Sequence, residues 1–281
     1  MRKMLRWVIP LALLVLFIGY GLLSSRNPRL NEVVAYFDEL PPHLHGLRIL
    51  QITDLHSDDP YVMNVGIWGI VDEAEFDIAV ITGDIVLDGG WRRADPILEL
   101  NPHWQQLEAL ANRVPTFFVE GNHETAHLQR FMAIMDELGI TFLYNEEYEL
   151  DINGGILTII GTQDYSAMLR YGFDGKEALF GHFDPPFRLV LSHQPQIFDR
   201  IKHDGAMMVL AGHTHGGQVR LPFLPTLYAP GQGWFPSYGK GLYSYADGLA
   251  QMYVCSGIGT TYFTWRFFNP PQVTVIELRR R

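Results

Sequence analysis

Short apolar runs alternate with longer amphipathic segments along most of the chain. Ile78 to Thr82, Thr116 to Val119 and Met207 to Ala211 are almost continuously apolar, which is typical of strands buried on both faces. Pro102 to Arg113 and Leu128 to Leu138 instead place apolar side chains at the spacing of one helix face. The alternation predicts an α/β fold with parallel strands in its first half.

The pattern changes in the second half of the chain. Tyr148 to Ile152 and Ile156 to Ile160 flank the turn sequence Asn153-Gly154-Gly155, which predicts an antiparallel hairpin. A further core strand is expected at Phe187 to Ser192. We therefore expect the second half to be more antiparallel than the first.

The N-terminal region has a different character. Residues 7 to 23 are apolar or small, and a helix of that length, at about 1.5 Å per residue, spans roughly 26 Å, close to the thickness of a hydrocarbon core. We predict an uncleaved membrane anchor at residues 1–30, a polar tether at residues 31–46 and a catalytic domain at residues 47–281. A cleavable signal peptide is the alternative, although Ser24-Ser25 offers only a poor cleavage site. Basic residues lie on both sides of the apolar run and favour a cytoplasmic N-terminus only weakly.

The composition limits which metal ligands and which binding partners the protein can have. The single cysteine, Cys255, excludes an intrachain disulfide and a thiolate metal cluster, so a metal would need nitrogen and oxygen ligands. Residues 1–30 hold five basic and no acidic side chains, so the remainder carries a net charge of −15. That sign argues against binding to a nucleic acid backbone. We expect an acidic surface, with some carboxylates reserved for cations.

Side chains that suit metal binding follow the predicted strands. Taken singly, each has an ordinary explanation as a helix cap, a turn residue or a core histidine. Five of the eleven histidines nevertheless lie at strand ends, and capping does not require such clustering. The candidate metal ligands are Asp54, His56, Asp84, Asn122, His193, His213 and His215, and His123 lies beside them. Seven such ligands are too many for one tetrahedral zinc ion but suit two ions that share a carboxylate, an arrangement that can clamp a phosphate and activate a bridging hydroxide.

Five short motifs carry a family resemblance. Asp54-x-His56, Gly83-Asp84, Gly121-Asn122-His123-Glu124, Ser192-His193 and Gly212-His213-x-His215 resemble, in order, the motif set of the calcineurin-like metallophosphoesterases. The resemblance implies a four-layer α/β/β/α sandwich with two mixed sheets, here preceded by one N-terminal transmembrane helix. It also implies a metal-dependent phosphoester hydrolase that uses two divalent ions, Mn, Fe or Zn, with Mn favoured.

The resemblance also implies a role for each motif residue. Asp54, His56 and His215 would hold the first ion, and Asn122, His193 and His213 would hold the second. Asp84 would bridge the two ions, and His123 would orient the phosphate and protonate the leaving oxygen. The sequence departs from the family pattern at Leu87, where many members carry an aspartate that supports the acid histidine. Glu124 is the nearby substitute, although a surface position is the commoner expectation for a glutamate.

The block Gly212 to Gln218 and the apolar N-terminus resemble the bacterial membrane-anchored branch of the family, which includes YkuE-like and YaeI-like phosphodiesterases and LpxG-type UDP-2,3-diacylglucosamine hydrolases. The implied location is the bacterial inner membrane, and the most concrete implied reaction is pyrophosphate hydrolysis of UDP-2,3-diacylglucosamine in lipid A synthesis. An exported general phosphodiesterase is the alternative, and a non-catalytic scaffold a less favoured one. Trp234 and Phe235 are candidate substrate-binding residues, because aromatic side chains suit a lipid-facing position. Oligomeric state is not predicted.

Overall fold

The helices and strands occupy most of the region that the structure describes. The computed structural model describes residues 2–57, 66–86, 101, 103–171, 186–260 and 265–281. The helices are Arg2–Ser24, Ile67–Glu73, Trp104–Arg113, Leu128–Glu137, Tyr165–Tyr171 and Phe198–Ile201. The strands, in chain order, are β1 Arg29–Phe37, β2 Arg48–Ile52, β3 Ile78–Thr82, β4 Thr116–Val119, β5 Thr141–Phe142, β6 Glu146–Ile152, β7 Gly155–Gly161, β8 Arg188–Leu191, β9 Met207–Ala211, β10 Tyr228–Ala229, β11 Gly233–Trp234, β12 Gly241–Tyr245, β13 Ala250–Val254 and β14 Gln272–Arg280.

The first large sheet has the strand order β1-β14-β2-β3-β4-β5. Strands β2 to β5 are parallel, β14 is antiparallel to β2, and β1 is parallel to β14. The central strands β2, β3 and β4 bury almost every side chain, as their continuous apolar sequences predict. Their carboxyl ends therefore lie side by side at one edge of the sheet.

The second large sheet has the strand order β12-β13-β9-β8-β7-β6. Strands β7, β8, β9 and β13 are parallel, and only the two edge strands, β6 and β12, are antiparallel to their neighbours. The predicted hairpin is confirmed as β6 and β7, and the expectation of a more antiparallel second half is confirmed as well: β6-β7 and β12-β13 are antiparallel pairs, whereas β2 to β5 of the first half pair only in parallel. The antiparallel pairs lie at the two edges of the second sheet. The buried strands between them are parallel to one another, as β2 to β5 are in the first sheet.

The two sheets and the helices form four layers. Apolar side chains from both sheets, including Val80, Phe117, Leu189 and Leu210, form one core between the sheets. The helices Ile67–Glu73, Trp104–Arg113 and Leu128–Glu137 pack on the outer face of the first sheet. Met168 and the helix Phe198–Ile201 pack on the outer face of the second. The structure thus has the mixed α/β architecture with two mixed sheets that the family resemblance implies.

The N-terminal region differs from its prediction. Residues 31–46 were expected to be a tether, but β1 pairs with β14 along its whole length, and Ala35 and Phe37 are buried in the core between the sheets. The tether prediction is wrong because β1 is stabilised by a strand more than 230 residues later, which local polarity does not reveal. Within the described chain, no helix combines the length and apolar character that crossing a membrane requires.

Candidate metal centre

The candidate ligands come together where the two sheets present the carboxyl ends of their central strands. Asp54, Asp84 and Asn122 follow β2, β3 and β4 of the first sheet, and His193 and His213 follow β8 and β9 of the second. Backbone hydrogen bonds tie these loops to one another: the Asp54 amide donates to the carbonyl of Gly83 at 3.0 Å. The Gly212 amide donates to the carbonyl of His193 at 2.9 Å. The predicted ligands thus share one buried site.

The loops are held in an uncommon backbone conformation. Asp54, His56, Asp84, His213 and His215 all have positive φ, between 45° and 67°. Non-glycine residues rarely adopt this region, and such strain persists only where the surroundings enforce it. Glycines provide the necessary room, since a Cβ atom on Gly121 would overlap Oδ1 of Asp84, and one on Gly212 would overlap Oγ1 of Thr53.

One group of candidate ligands comprises Asp54, His56 and His215. Nε2 of His215 lies 3.3 Å from Oδ1 of Asp54 and 3.2 Å from Nε2 of His56. The ligand atoms of all three residues lie within 4.8 Å of one another, a spacing that can hold a metal ion. The structure thereby brings together the residues that the resemblance implies for the first ion.

A second group comprises Asp84, His193 and His213. Nε2 of His193 lies 3.0 Å from Oδ2 of Asp84 and 3.1 Å from Nδ1 of His213. Oδ2 of Asp84 also lies 3.9 Å from Nε2 of His56, in the first group. Asp84 therefore lies between the two groups, as expected of a bridging carboxylate.

Asn122 and His123 complete the site on one side. Oδ1 of Asn122 is buried and accepts no hydrogen bond from any residue that the structure describes, so an acceptor atom is available there for a cation. This oxygen and the two groups of Asp and His side chains described above offer only nitrogen and oxygen ligands, which suit divalent metal ions. Nε2 of His123 lies 3.6 Å from Oδ2 of Asp84, and its side chain is 13% exposed, more than those of His56 and His193.

The backbone fixes the orientation of three histidines. Nδ1 of His56 lies 3.1 Å from the carbonyl of Val86, and Nδ1 of His193 lies 2.7 Å from the carbonyl of Thr82. Nδ1 of His215 lies 3.1 Å from the carbonyl of Gly259. Each Nδ1–H can donate to its carbonyl, which leaves Nε2 to face the site as a ligand.

Burial and neighbouring charges set the protonation of the site. Burial lowers the pKa of His56 to about 4, and burial together with the charge of His193 lowers the pKa of His213 to about 3. Burial also disfavours the charged form of His193, but Asp84 raises the pKa of that imidazole to about 10. Although burial opposes its ionisation, Asp84 has its pKa held well below the usual value by His193 and His123. A ligating histidine must be neutral, so the neutral form of His193 is the one that would bind a metal.

Glu124 is buried, which corrects the expectation of a surface side chain. Its carboxylate accepts hydrogen bonds from the backbone amides of Asp84 at 2.8 Å, Ile85 at 2.9 Å and Gly121 at 2.7 Å. It therefore ties the loop after β3 to the loop after β4. Sequence reasoning identified the residue but not this role. Leu87, where the family pattern departs, lies outside the described residues.

The candidate substrate-binding residues lie near the cluster but outside it. Trp234 and Phe235 are 72% and 73% exposed, and a Cβ atom on nearby Gly231 would lie 3.3 Å from Nε2 of His213. The segment that includes Phe223 and Leu224 is exposed as well. We refer to Phe223, Leu224, Trp234 and Phe235 as the aromatic lip.

Sequence reasoning missed two buried residues that support His215. Arg266 donates to the carbonyl of Gly259, the same carbonyl that Nδ1 of His215 approaches. Asn269 donates to the carbonyl of His215 at 2.6 Å. Neither residue follows a predicted strand or belongs to a motif, so the sequence offered no signal for them.

Comparisons with known proteins agree with this geometry. A model of the calcineurin-like phosphoesterase family matches residues 47–217. A metallophosphoesterase of Helicobacter pylori is 30% identical over 292 residues, which cover 99% of this chain and 72% of the relative. Phosphodiesterase YaeI of Escherichia coli is 28% identical, with 92% of this chain and 93% of the relative covered. UDP-2,3-diacylglucosamine pyrophosphatase LpxG of Chlamydia muridarum is 25% identical, with 84% of each chain covered.

The family match covers more than half of the chain and includes every motif whose residues converge in the site. The relatives cover the remainder of the chain as well. Clusters of His and Asp that can bind metal ions, together with relatives named as phosphoesterases, identify a metal-dependent phosphoester hydrolase. The chain belongs to the calcineurin-like phosphoesterase family.

Proposed function

We propose that this hydrolase cleaves a phosphoester or pyrophosphate carried by a membrane lipid, most concretely UDP-2,3-diacylglucosamine. The observation that carries the proposal is the aromatic lip, whose exposed Trp234 and Phe235 follow Gly231 in the chain, a position where an added Cβ atom would lie 3.3 Å from Nε2 of His213. Exposed aromatic side chains suit the boundary between lipid and water. The relative named LpxG supports the choice of substrate class.

The candidate ligands form two groups, one for each of two divalent ions. Asp54, His56 and His215 would hold one ion, Asn122, His193 and His213 would hold the other, and Asp84 lies between the two groups as the carboxylate that both could share. When bound, the ions supply Lewis acidity toward the phosphoryl group and activate water. We would test Mn²⁺ first, since the ligand set is also compatible with Fe and Zn.

His123 is the proposed general acid. Its Nε2 lies 3.6 Å from Oδ2 of Asp84, and its side chain is partly exposed, so it can reach a phosphate held beside Asp84. Water attacks phosphorus and loses a proton, the bond from phosphorus to the leaving oxygen breaks, and protonated His123 donates its proton to that oxygen. The proton lost by the water balances the one that His123 gives up. This role requires a donor within hydrogen-bond reach of the leaving group.

The N-terminal helix is the proposed membrane attachment. Its described side chains from Ile9 to Leu23 are largely apolar, and many of them, such as Leu13 and Leu16, are exposed. A lipid surface would cover them. The protein would then lie at the bacterial inner membrane, and a UDP-linked substrate would require the catalytic domain to face the cytoplasm. A single-pass helix with a cytoplasmic N-terminus, which the flanking basic residues weakly favour, would place the domain on the other side of the membrane. Identifying the substrate would therefore show which orientation is right.

An exported general phosphodiesterase is the second candidate. The relative YaeI, which is named a phosphodiesterase, favours it. Such an enzyme would need the same ions and the same acid but no contact between lipid and the aromatic lip. A non-catalytic scaffold fits less well, because every motif position carries a residue able to act as a ligand.

Product analysis by mass spectrometry separates these candidates. The full chain, loaded with Mn²⁺, is incubated with UDP-2,3-diacylglucosamine and, separately, with a small chromogenic phosphodiester, beside an Asp84→Ala control. We expect UMP and the lipid monophosphate from the first substrate, and neither product from the control. Cleavage of the small diester alone would contradict the lipid proposal and favour the exported phosphodiesterase. Cleavage of neither substrate would favour the scaffold.

A further inference from the structure

One short segment near the C-terminus contacts both the metal centre and the N-terminal helix. It consists of Arg266, Phe267, Phe268 and Asn269, and we call it the coupling segment. Arg266 and Asn269 are almost fully buried, with 1% and 0% exposure. The two outer residues of the segment face the loop of His215, while the two phenylalanines contact the helix Arg2–Ser24.

The contacts on the metal side hold His215 from two directions. Asn269 Nδ2 donates to the backbone carbonyl of His215 at 2.6 Å, and Arg266 Nε donates to the carbonyl of Gly259 at 3.0 Å. Nδ1 of His215 lies 3.1 Å from that same Gly259 carbonyl. The backbone of His215 is in the left-handed region, with φ of 48°, so it needs outside support to stay there.

Asn269 is itself held by further hydrogen bonds. Its Oδ1 lies 3.5 Å from Nζ of Lys240, which also donates to Oγ of Ser256 at 3.1 Å. Its backbone amide donates to the hydroxyl of Ser25, just beyond the helix, at 3.0 Å. A single residue thus connects the end of the N-terminal helix to the backbone of a candidate ligand.

The contacts on the helix side are close and specific. The Ser25 hydroxyl donates to the carbonyl of Gly21 at 2.9 Å, and the same carbonyl accepts from the Phe268 amide at 3.1 Å. The ring of Phe267 lies against Gly21 so closely that a Cβ atom there would overlap it. The ring of Phe17 lies 5.0 Å from that of Phe268. The helix cannot shift at Gly21 without moving the coupling segment.

From these contacts we propose that Asn269 and Arg266 are positioning residues, and that the N-terminal helix, through the coupling segment, sets how tightly the ion beside His215 is held. The inference rests on the metal centre of the proposed function but not on the choice of substrate. It gives the helix a part in building the active site that is separate from membrane attachment.

Two glycines of the same helix provide the test. Gly21→Leu places a side chain against Phe267, whereas at Gly19 no described atom lies within 4 Å of an added Cβ, so Gly19→Leu is the matched control. Mn²⁺ binding to the full-length metal-free chain in detergent micelles is measured by electron paramagnetic resonance, which follows the free ion. We expect Gly21→Leu to weaken one of the two bound ions about tenfold or more and leave the other unchanged, and Gly19→Leu to bind both as wild type does.

The outcomes separate this inference from the proposed function. Equal Mn²⁺ affinities in the two leucine variants would overturn the coupling and leave the metal centre intact. Equal weakening of both ions in Gly21→Leu would also overturn it, because the effect would then be a general loss of structure. A wild-type chain that binds no Mn²⁺ would overturn the proposed function and this inference together.

A smaller change serves if Gly21→Leu fails to fold, as judged by circular dichroism. Ser25→Ala removes the acceptor for the Asn269 amide, whereas Ser24→Ala removes a hydroxyl that also bonds the Gly21 carbonyl, at 3.2 Å, and serves as its matched control. Both variants lose a hydrogen bond to the Gly21 carbonyl, but only Ser25→Ala also loses the bond from the Asn269 amide. We expect that additional loss to weaken one ion about three- to tenfold in Ser25→Ala, and Ser24→Ala to have no effect. Identical Mn²⁺ binding in the two serine variants would overturn the inference.

Discussion

The metal centre is buried and held by hydrogen bonds, whereas the side chains of the aromatic lip are exposed to solvent. In the centre, Asp84 and His193 are buried, the backbone is strained, and backbone hydrogen bonds hold both residues. In the lip, Trp234 and Phe235 expose most of their surface, and the ring of Trp234 lies 5.6 Å from that of Tyr228. A rigid, over-determined site suits a reaction that needs fixed geometry, and a lightly held surface suits a choice among substrates. We therefore expect that changes in the lip alter substrate choice without altering the reaction itself.

The largest expected effect is in the metal centre. Asp84→Ala removes the carboxylate between the two groups of ligands, so we expect bound Mn²⁺ and activity to be lost together, with the rate falling about 1,000-fold or more. Metal content by mass spectrometry and the rate on a small diester measure the two effects. Asp136→Ala, on an exposed helix position, is the control. An Asp84→Ala enzyme that kept both ions and its rate would show that the bridging assignment is wrong.

A second substitution separates metal binding from proton transfer. We expect His123→Ala to keep both ions and to lose about 100- to 10,000-fold in turnover, because a general acid contributes that much. The rate and the metal content are measured on one preparation, with His127→Ala as the control. Full activity in His123→Ala would rule out the acid role.

A third change tests the support of the centre. Glu124→Ala leaves the buried backbone amides of Asp84, Ile85 and Gly121 without their acceptor, so we expect the free energy of unfolding to fall by about 3 kcal/mol or more. Urea denaturation measures it. Glu108→Ala, on an exposed helix face, is expected to change it by less than about 0.5 kcal/mol. Equal stability of the two variants would contradict the structural role of Glu124.

The smallest effect is expected in the lip. Replacing Trp234 and Phe235 together by serine should leave the rate on a small diester unchanged and lower the rate on the lipid substrate about tenfold, since two exposed apolar contacts are lost. The ratio of the two rates is the measurement. Ile156→Ser, an exposed apolar site on the β6–β7 hairpin, is the control. An unchanged ratio would remove the lip from substrate binding and erase its contrast with the metal centre.

The sequence was most informative where structure is local. Ile78 to Thr82 and Met207 to Ala211 were predicted as strands and have those bounds, because a continuous apolar run between turn residues leaves few alternatives. The ligand positions were predictable for the same reason, since each follows such a strand within two to four residues. The assignment of each residue to one ion or to proton transfer stays a prediction.

Long-range features escaped the sequence. The strand Arg29–Phe37 was mistaken for a tether because its partner, β14, comes at the other end of the chain. Glu124 was expected at the surface because the sequence does not show which backbone amides donate hydrogen bonds to its carboxylate. Asn269 belongs to no motif and is recognisable only once His215 and Ser25 lie beside it.

The strand order of the first sheet also bears on how the chain folds during synthesis. β14 lies between β1 and β2, so the two strands that leave the ribosome first are never hydrogen-bonded to each other in the native sheet. Until residues 272–280 emerge, both carry an open edge that can pair with the wrong strand. Insertion of the last strand is thus a late step that closes the sheet, and we expect folding to be slow and completed only after synthesis of the domain.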